Sequence, residues 1–191
     1  KAPQQMLGAL VKNYLPGKIG ENAKNIFSVS IMPCTAKKYE MARPEMESEN
    51  GRDVDAVLTT REAARLFRLK NIDLAKLPDE DFDSFMGEGT GAARIFGTTG
   101  GVMEAAIRTV AWKLTGGEMD TIDYEAARGY RGVKEATLNI NGLEVKVAIV
   151  NGIKNAKAVM DDVRAGKSPY HFIEVMACPG GCLNGGGAPL L

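Results

Sequence analysis

The stretch that decides the fold of this chain is Phe172–Pro189, FIEVMACPGGCLNGGGAP. It begins with an apolar run that predicts a β-strand, continues into two cysteines separated by three residues, and ends in a glycine-rich turn. Cysteine thiolates this close together on a glycine-lined loop can bind a soft metal ion or an iron–sulfur cluster. The stretch therefore predicts a strand that ends at a metal-binding loop.

A second stretch, Ile31–Glu40 (IMPCTAKKYE), repeats this design with one cysteine. Cys34 follows a strand predicted at Ile26–Met32, as Cys178 follows the strand predicted at Phe172–Met176. Ligand sites gather beyond the carboxyl ends of parallel strands. We therefore expect all three cysteines of the chain to meet at one sheet edge as parts of a single metal site: Cys34, Cys178 and Cys182.

Other interpretations of these residues stay open at this point. A lone cysteine such as Cys34 is more often a buried core thiol than a ligand. Zinc also binds thiolates, but zinc sites usually combine two closely spaced pairs of ligands, and the second pair is missing here. Lys37 lies one helical turn after Cys34 and can donate to an anionic ligand at the same site, although a lysine taken alone is more often on the surface.

Composition and charge exclude several classes of protein. The chain has 191 residues, of which 45% are hydrophobic and 25% charged, as in an ordinary globular protein with one domain or two small lobes. Its 24 basic and 24 acidic residues cancel, which argues against general binding to nucleic acids or anionic membranes. No apolar run reaches the roughly 18 residues of a membrane span. An odd cysteine count favours metal or redox chemistry over disulfides, so we expect a reducing, cytoplasmic location.

Strand and helix patterns alternate along the chain. Thr59 and Glu62 have capping-box spacing at the start of a predicted helix, and Asn141-Gly142 predicts a tight β-hairpin. The fold class we predict is α/β, with a short, mostly parallel sheet flanked by helices and an added antiparallel hairpin. The predicted parallel strands are Ile26–Met32, Val54–Leu58 and Phe172–Met176, and the hairpin strands are Val133–Ile140 and Leu143–Val150.

The cysteine stretches carry a resemblance to a known family. MPCTAKKYE resembles the second signature of the [FeFe]-hydrogenases, M-P-C-x-x-K-x-x-E, and EVMACPGGCLNGGGAP resembles their third, E-x-M-A-C-x-x-G-C-x-x-G-G-G. The segments TTREAARLF and IFGTTGGVMEAAIRT look like that family too, so the likeness runs through essentially the whole chain. The resemblance implies the two-lobed iron hydrogenase fold and an oxidoreductase that reversibly reduces protons to H2.

The resemblance also implies a cofactor and the residues that hold it. The H-cluster of the family is a [4Fe–4S] cubane joined through one cysteine to a di-iron unit with CO, CN and dithiolate ligands. Cys34, Cys178 and Cys182 resemble three of the four cubane ligands, with Cys182 as the bridge to the di-iron unit. Lys37 matches the lysine that donates a hydrogen bond to a cyanide, which is the catalytic position implied here. The other implied cofactor-binding residues are Met32, Pro33, Phe96, Gly97 and Met176.

The sequence departs from the family pattern in three ways. The first signature, T-S-C-C-P, is absent, Ala188 stands where the family usually has glutamine, and the N-terminal ferredoxin-like domains are missing. Residues 1–191 are therefore expected to be a partial H-cluster domain, the C-terminal part of a large subunit. The chain opens at Lys1 within a predicted helix and stops at Leu191 directly after the glycine turn, which also predicts a fragment.

The resemblance further implies partners for such a domain. These are protons and H2, the missing N-terminal part of the same domain, and ferredoxin, NAD(P) or another electron-carrier protein or subunit. We expect no nucleic acid and no membrane span. Two alternative functions remain: a hydrogenase-like iron–sulfur protein in cluster assembly or sensing, and an inactive apo fragment.

Overall fold

The computed structural model describes residues 1–84, 86–87, 89–120, 122–128 and 131–189. The chain divides into two compact units. Unit 1 comprises Lys1–Glu88 together with Gly185–Leu191, and unit 2 comprises Gly89–Asn184. The chain therefore returns to unit 1 inside the stretch Phe172–Pro189, three residues after Cys182.

Unit 1 contains short helices and two small pairs of strands. Its α-helices are α1 (Pro3–Asn13), α2 (Leu15–Ile19), α3 (Ala36–Met41) and α4 (Thr60–Leu69). Its 3-10 helices are Ala23–Asn25, Pro44–Met46 and Leu74–Lys76. Its strands are β1 (Val29–Ile31), β2 (Glu47–Ser48), β3 (Gly51–Arg52) and β4 (Ala56–Leu58). Strands β1 and β4 pair in parallel and β2 pairs with β3 in antiparallel fashion.

The predicted capping box at the start of α4 is confirmed. The Thr59 hydroxyl accepts from the Glu62 amide at 3.2 Å, and the Glu62 carboxylate accepts from the Thr59 amide at 2.8 Å. Two backbone donors that the first helical turn would leave without partners are thereby satisfied. This cap fixes the direction of α4 directly after β4.

Helix α1 forms where the sequence predicts a helix, but its polar face is the buried one. Gly8 allows close approach, since a Cβ there would lie 2.6 Å from the Asp53 carbonyl oxygen. The Lys12 ammonium is buried against Asp55 at 2.7 Å. The large apolar side chains of α1 at helical spacing are exposed instead: Met6, Leu7 and Leu10. The buried face of α1 therefore carries Gly8 and the ion-paired Lys12.

Unit 2 is built on a sheet with strand order β5-β6-β7-β8. The strands are β5 (Glu125–Ala126), β6 (Val133–Ile140), β7 (Leu143–Asn151) and β8 (Phe172–Met176), and the helices are α5 (Gly91–Ile95), α6 (Gly101–Thr115) and α7 (Ile153–Arg164). The predicted hairpin is confirmed: β6 and β7 are antiparallel, and Asn141 and Gly142 both have positive φ. Side chains alternate along β7, so one face packs with α6 and the other with α7.

The α/β fold class is confirmed, but the three predicted parallel strands do not share one sheet. Strand β8 pairs in parallel with β7, whereas β1 pairs in parallel with β4. The physical reason is connectivity: β7, α7 and β8 form a crossover unit, which places β8 beside the strand that precedes it. Our expectation that Cys34 and Cys178 follow strands of the same sheet was therefore wrong.

Candidate metal centre

In unit 1, Cys34 lies on a short loop between β1 and α3. The Met32 amide donates to the Leu58 carbonyl at 2.9 Å and prolongs the strand pairing up to this loop. Met32, Pro33 and Cys34 are half-buried, and Cys34 is a free thiol. These three predicted site residues lie on one loop because they are consecutive in the sequence.

The glycine turn that ends the stretch Phe172–Pro189 packs on this same loop. The Gly187 amide donates to the Pro33 carbonyl at 2.7 Å. A Cβ on Gly185 would lie 2.5 Å from the Pro33 carbonyl oxygen and 2.7 Å from the Cys34 Cα, and one on Gly187 would lie 2.4 Å from the Thr59 Cβ. These glycines therefore allow contact between two backbones, and the turn supports the Cys34 loop directly.

Arg61, in the first turn of α4, holds the glycine turn from the other side. Its guanidinium Nη2 donates to the Gly186 carbonyl at 2.5 Å, and its amide donates to the Gly187 carbonyl at 3.3 Å. Sequence reasoning missed this residue. The available signal was its place two residues after the capping Thr59, at a helix N-terminus where an amide is free to donate.

Lys37 is the predicted catalytic position, and it lies on α3 in a largely buried setting. Its side chain is 16% exposed, and its ammonium forms an ion pair of 2.6 Å with the Glu40 carboxylate. The three-residue spacing of the K-x-x-E signature brings both onto one helix face. Burial raises the pKa of Glu40, but hydrogen bonds from Lys37 and the Ala2 amide outweigh it and hold that pKa below its usual value. Lys37 is thus not a freely solvated surface lysine.

The neighbouring lysine behaves differently. Lys38 points to a more exposed position, where its ammonium pairs with Glu62 at 2.8 Å. Hydrogen bonds from Lys38 and from the Thr59 amide and hydroxyl lower the pKa of Glu62 to about 2. Lys38 therefore supports the start of α4, which makes it a matched comparison for Lys37.

In unit 2, the Cys178–Cys182 loop begins with a tight turn at the end of β8. The Gly181 amide donates to the Cys178 carbonyl at 3.1 Å, with Pro179 second in the turn and Gly180 third, at a φ of 77°. Proline followed by a glycine with positive φ is the sequence that a type II turn requires. Cys178 is half-buried and Cys182 exposed, and neither forms a disulfide.

The segment that contains Phe96 and Gly97 packs on this loop, although some 80 residues separate them in sequence. The Thr99 amide donates to the Gly180 carbonyl at 3.2 Å. A Cβ on Gly181 would lie 2.5 Å from the Gly97 carbonyl oxygen. Within unit 2 the structure therefore brings together predicted site residues from two distant stretches.

Two polar residues to which the sequence analysis assigned no role hold this arrangement. Glu174 is a buried carboxylate on β8 that accepts from the Gly100 amide at 2.6 Å and the Met103 amide at 2.8 Å, at the start of α6. Asn151, the last residue of β7, donates from Nδ2 to the Cys178 carbonyl at 2.8 Å. Glu174 stood out in the sequence as a charged residue in an apolar strand and as the first residue of the E-x-M-A-C signature. Asn151 gave no such signal.

The donor chemistry of the three cysteines fits an iron–sulfur cluster, because cysteines outside disulfides can give soft thiolate ligands. Within the part of the chain that the structure describes, no three His, Cys, Asp or Glu side chains form a group able to hold a metal ion. Cys34 belongs to unit 1, whereas Cys178 and Cys182 belong to unit 2. The convergence of the three thiols stays a prediction. Among the described residues, no helix is long and apolar enough to cross a membrane.

Comparison with known families settles the ancestry of this chain. The family model for the iron only hydrogenase large subunit, C-terminal domain, matches residues 1–186. The chain belongs to this family.

Relatives within the iron only hydrogenase family are similar over the whole chain. The periplasmic [Fe] hydrogenase large subunit of Nitratidesulfovibrio vulgaris is 56% identical over 191 residues, which are 100% of this chain and 45% of that protein. Iron hydrogenase 1 of Clostridium pasteurianum is 48% identical over 189 residues, 99% of this chain and 33% of that protein. The chain thus spans less than half the length of these relatives.

Structural similarity supports the same family. A solved [FeFe]-hydrogenase structure, described as concerning oxygen inactivation through degradation of the H cluster 2Fe subcluster, has a TM-score of 0.81 and 38% identity. The match covers 100% of this chain and 54% of that one. A more distant relative is the cytosolic Fe-S cluster assembly factor narfl of Xenopus tropicalis, 33% identical over 98% of this chain and 40% of that protein.

Proposed function

We propose that this chain is the C-terminal part of the catalytic domain of an [FeFe]-hydrogenase, whose parent protein reversibly reduces protons to H2. The observation that carries the proposal is the 56% identity, over the entire chain, with a named hydrogenase large subunit. Identity with the assembly factor is 33%. We assign the activity to the parent protein, since this chain spans only 45% of that relative.

The cofactor of the proposal is the H-cluster, a [4Fe–4S] cubane linked to a di-iron unit with CO, CN and dithiolate ligands. When bound, it supplies the redox chemistry that joins electrons and protons. We assign Cys34, Cys178 and Cys182 as three of its thiolate ligands, with Cys182 as the bridge. Support comes from the soft donor chemistry of three cysteines that form no disulfide and from the backbone hydrogen bonds that fix both cysteine loops.

Lys37 is proposed to donate a hydrogen bond to an anionic cyanide ligand. An ammonium has three donors, and the ion pair with Glu40 uses one of them. Glu40 holds the lysine side chain on its helix face, so less side-chain entropy is lost when a second acceptor binds. We propose Met32, Pro33, Phe96, Gly97 and Met176 as the remaining cofactor-binding residues; their backbone or apolar atoms would exclude water.

The partners of the parent protein are part of the proposal. They are protons and H2, the N-terminal part of the H-cluster domain, and an electron carrier such as ferredoxin or NAD(P). The cytoplasmic location suggested by the cysteine content also remains a proposal, and the name of the N. vulgaris relative places that protein in the periplasm.

The proposal is tested by hydrogen evolution from a reduced dye, with the full-length parent protein made alongside its maturation machinery. Turnover together with protein-bound iron and sulfide supports a hydrogenase. Bound iron and sulfide without turnover would instead favour the cluster-assembly or sensing role. A protein with no turnover and no bound iron or sulfide would be an inactive apo form.

A further inference from the structure

The carbonyl of Cys178 is held by two donors within unit 2. The Gly181 amide reaches it at 3.1 Å and closes the tight turn, and Asn151 Nδ2 reaches it at 2.8 Å. The first donor belongs to the cysteine loop itself, so it moves when the loop moves. Asn151 belongs to a strand and is the donor that ties this carbonyl to the sheet.

The backbone of Asn151 is held by strand pairing and by hydrogen bonds. It is the last residue of β7, in register with Met176 at the end of β8. Its amide donates to the Gly132 carbonyl at 3.0 Å, and its carbonyl accepts from Asn155 Nδ2 at 2.6 Å. Because the backbone N–H and C=O of Asn151 are both hydrogen-bonded, its Cα is held in place at the carboxyl end of the parallel pair β7 and β8.

The side-chain amide nitrogen of Asn151 also contacts a second segment of the site. Asn151 Nδ2 lies 3.3 Å from the Thr99 hydroxyl, and the Thr99 amide donates to the Gly180 carbonyl. Asn151 therefore joins the end of the sheet, the segment that contains Phe96 and Gly97, and the cysteine loop.

We propose that Asn151 is a positioning residue for Cys178: its side-chain amide fixes the backbone from which this thiol reaches the cubane. The inference rests on the proposed function, in which Cys178 is a cubane ligand. It assigns Asn151 no contact with the cofactor. Its effect passes through the Cys178 carbonyl, because a displaced Cα moves the sulfur that it carries.

The test compares Asn151→Asp with wild type in the full-length parent protein. The aspartate has nearly the same shape, but it removes both N–H donors and places an acceptor beside the Cys178 carbonyl, where two acceptors repel. Asn13→Asp is the matched control, because Asn13 also donates its amide to a backbone carbonyl, that of Ala9 at 2.8 Å, on the exposed surface of unit 1.

The first readout is the alkylation rate of each cysteine before cluster loading, resolved by peptide mass spectrometry. We expect Cys178 to react about two- to tenfold faster in Asn151→Asp, the factor that loss of one hydrogen bond gives, with Cys34 unchanged. Equal acceleration of Cys34 would mean general unfolding, and an unchanged Cys178 rate would overturn the inference.

The second readout is the electron paramagnetic resonance spectrum of the reduced cubane after loading. We expect shifted g-values or lower cubane occupancy in Asn151→Asp and a wild-type spectrum in Asn13→Asp. A wild-type spectrum in both variants would overturn the positioning role while leaving the hydrogenase proposal intact. If the wild-type protein itself binds no cubane, the proposed function fails, and the alkylation readout still decides whether Asn151 holds Cys178.

Discussion

The ammonium of Lys37 lies 2.6 Å from a carboxylate oxygen of Glu40, one turn further along the same short helix. The pair is only partly accessible to solvent, and a second donor, the Ala2 amide, holds Glu40 at 2.9 Å. Glu40 is therefore anchored to the start of α1 and in turn orients the lysine. A lysine oriented in this way can serve a site more readily than one that moves freely in solvent.

Replacing Lys37 tests that role. In the matured full-length protein, we expect Lys37→Met to weaken or abolish hydrogen turnover while largely sparing the cubane. A charge-assisted hydrogen bond in a water-poor pocket contributes about 1.5–3 kcal/mol, so its loss should release the di-iron unit before the cubane. Iron content and infrared spectra provide the measurement.

Lys38→Met is the control for this variant, because Lys38 makes an ion pair of similar length in a more exposed position. Its turnover should stay near the wild-type level. Full hydrogen evolution with normal carbonyl and cyanide bands in Lys37→Met would show that Lys37 serves only to pair with Glu40.

Glu40→Gln should make stability less dependent on pH. The pKa of Glu40 is held below its ordinary value, so its ionised form adds stability above the unfolded-state pKa, and this stability is lost as the pH falls through the folded-state pKa. We expect the variant to have a lower free energy of unfolding near pH 7, by about 1 kcal/mol, with the difference vanishing in acid. Denaturant unfolding of the parent protein from pH 7 to pH 3 measures this. A difference that stays constant with pH would contradict the ion-pair explanation.

Two adjacent glycines should respond differently to alanine. Gly185→Ala would place a Cβ 2.5 Å from the Pro33 carbonyl oxygen, and we expect it to lower the free energy of unfolding by roughly 1–3 kcal/mol because backbone must shift. Gly186→Ala is the control, since its nearest neighbour is the Thr35 side chain at 3.3 Å. Thermal unfolding of both variants decides the matter. Equal melting temperatures would mean that the glycine turn does not pack on the Cys34 loop as described.

Cys182→Ser should remove the di-iron unit together with activity, because a hydroxyl is too hard a ligand to replace the bridging thiolate. The measurement is hydrogen evolution by the matured full-length variant, with iron analysis alongside. Near wild-type evolution would show that the bridging role had been assigned to the wrong cysteine.

Local features of this fold could be predicted from the sequence, and features that depend on distant partners could not. The capping box at Thr59 and the hairpin at Asn141-Gly142 involve residues only a few positions apart, so their chemistry is visible in the sequence. The pairing of β8 with β7 rather than β1 depends on how a crossover packs, which the strand pattern alone does not specify.

In the candidate site, too, local motifs could be predicted from the sequence and contacts between distant residues could not. The motif residues were found because their spacing is distinctive, and the structure brings the Gly97 segment onto the Cys178 loop. Arg61 and Asn151 were missed because each makes its contact far along the chain, to Gly186 at a separation of 125 residues and to Cys178 at 27. An ordinary polar residue carries no sign of such a contact.

The infrared spectrum of the matured full-length protein tests whether this chain is part of an [FeFe]-hydrogenase catalytic domain. Iron-bound carbonyl and cyanide absorb in a region free of protein bands, and neither a bare cubane nor an apo protein has these ligands. If the chain is part of an [FeFe]-hydrogenase catalytic domain, carbonyl and cyanide bands will be present and will be lost in Cys182→Ser. A protein that holds iron and sulfide after maturation yet shows no such bands would contradict the account.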